Sequence, residues 1–297
     1  MIINPGMRRS GVRRFSPLAL FAASETGVWY DPSDLTTLFQ DTSGITPVTA
    51  AGQTVALMLD KSGRGNHATQ AITAARPTYR VDAGGRPYLE FDGSDDFMLT
   101  GTITPGVDKA QVFAGVRKLS DAQPAILVEF SATVTVFPGS FFIAAPGSSS
   151  ASDRYTFVSR GTQALVPGQL SNANIGTAPD TAVITGTGDI SGDSNIIRRN
   201  SVAFAAGTTD QGTGNYLAYP LYIGRRGGTS IPYNGNIYGL IVRFSATNMD
   251  AATIGSTETW MNGKTGAYSA NSVSQNIYDR FDDLVLDRSG NIIERRA

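Results

Sequence analysis

The chain has 297 residues, with 24 basic and 25 acidic side chains, one histidine and no cysteine. That balance argues against nucleic acid as a partner, because phosphate binding needs concentrated Lys and Arg. Disulfides and thiolate metal sites are excluded, and one histidine falls short of a catalytic zinc site, so any metal would be a hard cation such as calcium held by oxygens.

At this length one large all-β core with short extensions competes with two smaller domains. No stretch approaches the roughly 18 apolar residues of a membrane-inserted helix.

The N-terminal segment sets Arg8, Arg9, Arg13 and Arg14 before the apolar run FSPLALF. The order imitates a secretory leader, but the run is short and Pro17 interrupts it. Residues 1–26 therefore read as a retained arm, basic and then apolar, with Arg8, Arg9, Arg13, Arg14 and Phe15 contacting a neighbouring subunit.

The stretch LDKSGRGNHATQ, Leu59 to Gln70, holds the only histidine. Asp60 can accept bonds from the backbone amides ahead of it, and Gly63 and Gly65 can take positive φ, so the chemistry is that of a corner. His67 has no apparent catalytic partner and reads as structural.

Strands follow wherever apolar residues alternate between turn formers: Thr78 to Val81, Tyr88 to Phe91, Gln111 to Arg117, Ala125 to Phe130, Tyr155 to Ser159 and Asn236 to Phe244. In QVFAGVRK, Val112, Ala114 and Val116 share one face and Phe113, Gly115 and Arg117 the other, which predicts a sheet packed on one side and partly open on the other. GNIYGLIVRFS is apolar on both faces and reads as a central strand. The polar segment from Gly147 to Asn200 predicts long loops.

One short helix is predicted from an Asp250 cap, with Ile254, Thr257 and Trp260 or Met261 on one face and Gly263 as its stop. Beyond it, GAYSANSVSQ is linker-like. The tail, 269–297, carries Ile277, Phe281 and Leu284 at helical spacing, but Leu284 to Leu286 can equally pair with Ile292 and Ile293 in a hairpin. These residues are read as further assembly contacts.

The order YLEFDGSDDFMLT, then LYIGRRGG and NGNIYGLIVRF leading to the helix, resembles laminin G-like, concanavalin A-like domains. The resemblance implies an antiparallel jelly-roll β-sandwich over 27–268, with one short helix and N- and C-terminal extensions. More narrowly, WYDPSDLTTLFQD and LDKSGRGNHA look like the opening of lectin-like structural proteins of tailed bacteriophages.

Asp92, Asp95 and Asp96 are candidate calcium ligands, since domains of this kind often hold the ion at the rim; turn capping by the same aspartates is the alternative. Glu90, Asp92 and Asp95 imitate the Glu-x-Asp-x-x-Glu of glycoside hydrolases on this scaffold, with Asp in the last place. Among the aromatics, Tyr216 and Tyr219, in GTGNYLAYP, and Tyr233 are the candidates for stacking on a sugar, while Trp29 reads as buried. NGKTG lacks the glycine five residues upstream that a phosphate loop requires, because Glu258 stands there.

The resulting expectation is a non-enzymatic protein of the phage particle surface, tail-associated, binding host-surface glycan. Its partners would be other virion subunits, held through the terminal arms, and further copies of itself. A capsid decoration or head fibre and a glycoside hydrolase are the alternatives.

Overall fold

A computed structural model describes residues 15–147, 154–164, 170–173, 176–269, 284–286 and 292–295. The first strands are β1 (Thr26–Tyr30), β2 (Leu38–Phe39), β3 (Leu57–Met58), β4 (Ala68–Thr69), β5 (Thr78–Val81), β6 (Pro87–Asp92), β7 (Met98–Leu99), β8 (Lys109–Lys118) and β9 (Ile126–Phe130). They are followed by β10 (Ser140–Ala144), β11 (Tyr155–Arg160), β12 (Leu170–Ala173), β13 (Asp180–Asp189), β14 (Ser194–Arg199), β15 (Val202–Gly207), β16 (Leu221–Ile223), β17 (Asn234–Ser245) and the helix α1 (Ala251–Thr265).

Among the described residues these strands form two antiparallel sheets. One runs β15-β14-β13-β8-β17-β6-β5, and β17 is long enough to take β6 along its first half and β1 along its second. The other runs β12-β11-β10-β9-β16-β7-β4-β3-β2. The sheets pack face to face as a sandwich. From the first, Val112, Ala114 and Val116 point into the core; from the second, Phe130, Phe141 and Phe157 meet them, all without solvent exposure. Burying each such phenylalanine contributes roughly 1.5–3 kcal/mol. The six predicted strands are all present, and GNIYGLIVRFS is central, as its two apolar faces require.

The far face of β8 is not open. Helix α1 lies over it, and glycine lets it come close: a Cβ at Gly115 would stand 2.8 Å from Met261 Sδ and 2.7 Å from Thr265 Cγ2. The helix begins as predicted, with the Asp250 carboxylate accepting the Thr253 N–H at 2.8 Å. It ends one turn beyond Gly263, at Gly266, which takes the left-handed cap (φ 61). The later stop wins because Thr265 and Met261 pack on the sheet, so the helix gains from continuing.

The long loops expected between Gly147 and Asn200 are in large part strands β11, β13 and β14. Small residues hide β13 in the sequence because they make room for large ones opposite: a Cβ at Gly186 would lie 2.5 Å from the Phe157 ring, and one at Gly188 would lie 2.4 Å from the Tyr216 hydroxyl.

LDKSGRGNHATQ is a corner. Asp60 accepts N–H bonds from Trp29 (2.9 Å), Ser62 (2.8 Å) and Asn66 (3.1 Å) as well as the Ser62 hydroxyl (2.7 Å). Gly63 and Gly65 take φ of 81 and 73. His67 Nδ1 accepts the Asp60 N–H at 3.0 Å, a structural bond that locks the turn. Trp29 is 9% exposed and meets Trp260 edge-on.

Residues 15–26 belong to the sandwich rather than to a free arm. The turn of 3-10 helix Pro17–Phe21 buries Leu20 and Phe21, and Phe15 is half-buried. Arg243 ties it down, donating to the Leu20 carbonyl (2.9 Å) and the Glu25 carboxylate (2.8 Å). Arg8, Arg9, Arg13 and Arg14 lie outside the described residues.

Tyr268–Ala297 form a second compact unit. In it β18 (Leu284–Leu286) pairs antiparallel with β19 (Ile292–Arg295), so the tail is a hairpin where Leu284 sits; Ile277 and Phe281 lie outside the described residues. Among the described residues no helix is long and apolar enough to cross a membrane.

Candidate functional site

The EFDGSDD turn stands at one rim of the sandwich, and two hollows share its flank at Asn234. The first, of about 500 Å³, lies against the outer face of the second sheet. Its lining is apolar where Ile126, Phe142, Ala144, Ile231 and the neighbouring prolines meet it, and polar at Ser120, Gln123, Asn234 and Arg226. Arg226 is the only charged side chain among the residues that line it.

Strand register places this arginine's support. Phe142 on β10 pairs with Glu129 on β9, which pairs in turn with Tyr222 on β16, giving one outward-facing row. Glu129 has no solvent exposure, and burial raises its pKa against the pull of Arg226 and of the Val134 amide. Arg226 Nε donates to Glu129 Oε2 at 3.0 Å, while the Val134 N–H serves Oε1 at 2.8 Å. The guanidinium also lies over the Phe142 ring, 5.3 Å from its centre.

The backbone around Arg226 is closed on itself: its N–H donates to the Ser230 carbonyl at 2.9 Å, and its own carbonyl accepts the Thr229 N–H at 2.9 Å. Its terminal guanidinium nitrogens make no protein hydrogen bond among the described residues. This is a cation fixed from behind, with donors to spare. Ile231, in the wall, is held at φ 55, a left-handed conformation that a β-branched side chain adopts only under constraint.

The second hollow, of about 540 Å³, is lined by Arg76, Arg80, Glu90, Asp92 and Asp96 among others. Its arginines are occupied. Arg76 donates to the carbonyls of Gln70, Gln40 and Ala71, and Arg80 Nε holds Glu90 at 2.7 Å.

Asp92, Asp95 and Asp96 are brought together, with one oxygen of each within 4.8 Å of the others. Asp92 Oδ1 caps the turn by accepting the Ser94 and Asp95 amides, and Asp96 Oδ2 accepts the Asp92 N–H at 3.1 Å. The remaining oxygens have no protein hydrogen bond among the described residues, so the donor set fits a calcium-like cation. Burial, and then the Asp92 carboxylate, push Asp96 up to about 7.

Two of the aromatics proposed for sugar stacking are core residues. Tyr216 and Tyr233 have no exposure; Tyr216 packs against Phe141 and Phe244 and shares a 2.6 Å bond with the Ser159 hydroxyl. Neither ring can face a ligand. Tyr219 is half-buried between Phe130 and Phe137, with its hydroxyl on the Pro138 carbonyl. Their Gly-rich, polar flanks imitate a loop, yet the rings turn inward.

Neither Arg226 nor Glu129 stands in a recognisable motif. The available signal was one glutamate in the apolar strand ILVEF, since a lone charge in a buried run needs a partner.

No protein family and no curated protein matches the chain by sequence. Among solved structures it is similar to a GH54 α-L-arabinofuranosidase at 16% identity and TM-score 0.58, covering 87% of this chain and 66% of that one. It is also similar to botulinum neurotoxin type C, which depends on interaction with two ganglioside molecules to enter cells, at 11% identity and TM-score 0.50, covering 80% of this chain and 51% of that one. The receptor-binding domain of botulinum neurotoxin D matches at 8% identity and TM-score 0.50, over 80% of this chain and 53% of that one. The chain thus spans about half to two thirds of the structures it matches.

The protein has a concanavalin A-like fold: two antiparallel sheets in a jelly-roll sandwich with one α-helix among the described residues. At these identities the likeness is one of fold.

Proposed function

We propose that the protein is a non-enzymatic structural component of a tailed-phage particle, carried at the tail, whose sandwich binds host-surface glycan in the hollow beside Arg226. The observation that carries the glycan part is the fixed guanidinium. A sugar offers apolar C–H faces and hydroxyls; Ile126, Ala144 and Ile231 suit the first, and Arg226, Gln123, Ser120 and Asn234 the second. The phage assignment draws on the paired openings WYDPSDLTTLFQD and LDKSGRGNHA. Partners would be neighbouring virion subunits and further copies of the chain.

Immunogold labelling of purified particles tests the location. Label at the tail tip is expected; label on the head moves the protein to the decoration or head-fibre reading, and unlabelled particles overturn the virion assignment. A glycan array tests the hollow.

One observation favours a second reading, a glycoside hydrolase. Asp96, held near 7, shares the second hollow with Asp92 and Glu90, and a carboxyl of raised pKa beside a second carboxyl is the pairing glycosidic cleavage uses. Against it, Glu90 is tied to Arg80 and Asp96 is spent on the Asp92 amide. Sugar release from an oligosaccharide panel, abolished in Glu90→Gln, would establish it.

A further inference from the structure

We infer that the hollow beside Arg226 selects acidic sugars, with the ligand's carboxylate seated on the free edge of that guanidinium. The inference rests on the glycan reading and narrows it.

The geometry is that of a carboxylate receptor. Arg226 spends Nε on Glu129 and lays one face on Phe142, which leaves the terminal nitrogens as a planar pair of donors. Such a pair meets a carboxylate through two parallel N–H···O bonds, an arrangement shorter and stronger than bonds to neutral hydroxyls. The arginine is already ordered by the Glu129 bond, the ring and the closed turn, so little side-chain freedom is lost when a ligand arrives.

Charge placement agrees. Glu129 neutralises the arginine from beneath but is fully buried and does not line the hollow, so an incoming group meets the cation before its counter-charge. The apolar walls keep the effective dielectric low and strengthen the contact. A neutral sugar would leave one donor of the pair poorly matched. A carboxylate satisfies both.

Isothermal titration of the full chain tests this with four probes: a sialylated trisaccharide, a hexuronate-containing oligosaccharide, and the carboxyl-reduced form of each. The expected result is binding of at least one acid, with its reduced form weaker by about tenfold or more, and an affinity that falls as salt rises. The two acids distinguish the source of the carboxylate.

Arg226→Lys, checked for its thermal melt, should lose most of the preference for acid because a point charge lacks the planar fork. Equal binding of acid and reduced forms, or binding of neutral glycans alone, overturns the inference and leaves the glycan reading standing. A chain that binds no glycan at all on an array overturns both.

Discussion

Arg226 Nε and Glu129 Oε2 stand 3.0 Å apart, with the carboxylate fully buried and the guanidinium side chain 20% exposed. The pair joins the turn after β16 to the penultimate residue of β9, so one ion pair sets the cation of the hollow and anchors the loop that carries it. Removing the cation strands a buried charge. Arg226→Met should therefore destabilise the fold by about 3 kcal/mol, the lower end for a broken buried pair because one partner reaches solvent. Glu129→Gln should cost less, about 1–2 kcal/mol, since an amide still accepts the Val134 N–H. Urea unfolding of the two variants checks the order.

Asp96 gives the pH dependence a sign. Its pKa is raised in the fold from 3.8 to about 7, so between those values the folded state binds the proton more tightly than the unfolded one. Stability from this group is complete at low pH and is lost as pH climbs through about 7. Asp96→Asn should raise the melting temperature at pH 8, leave it nearly unchanged at pH 4, and flatten the profile between. If calcium binds the three aspartates, millimolar ion should stabilise the wild type at pH 8, more weakly at pH 5, and the variant hardly at all.

The parts of this fold legible in sequence are those whose causes are local. Alternation in QVFAGVRK and the doubly apolar GNIYGLIVRFS announce their strands; Asp60 with its two glycines announces the corner; Asp250 announces the start of α1. What fails depends on distant partners. Tyr216 sits among turn residues yet is drawn inward by Phe141 and Phe244. Strand β13 is written in Gly and Thr because Phe157 and Tyr216 fill the space above it. Arg226 is one of two arginines in a glycine-rich turn, and what distinguishes it lies 97 residues earlier, at Glu129.

The corner is a structural element with a measurable cost. Asp60→Ala leaves the buried Trp29 amide without its acceptor and removes the remaining bonds that close the turn, so a loss of about 3 kcal/mol is expected in denaturant unfolding. His67→Gln should cost no more than about 1 kcal/mol and leave ligand binding unchanged, since one accepted bond is all it supplies. A loss of binding in the histidine variant would return this loop to the list of sites.

Helix α1 can sit on the sheet only because Gly115 has no side chain. Gly115→Val would drive a branched group into Met261 and Thr265, and overpacking of this kind costs about 1–3 kcal/mol. Calorimetry should show the loss, and the additional substitution Met261→Ala should recover part of it.

The proposed seat of the ligand is the hollow over the second sheet. Ala122 is exposed and lines that hollow, so Ala122→Trp fills it without touching the core. A glycan array probed with wild type and with this variant is the most direct measurement. Wild type should bind at least one glycan, and the tryptophan should abolish the signal while the melting temperature holds. Undiminished binding by the variant would place the ligand elsewhere and contradict the assignment of this hollow.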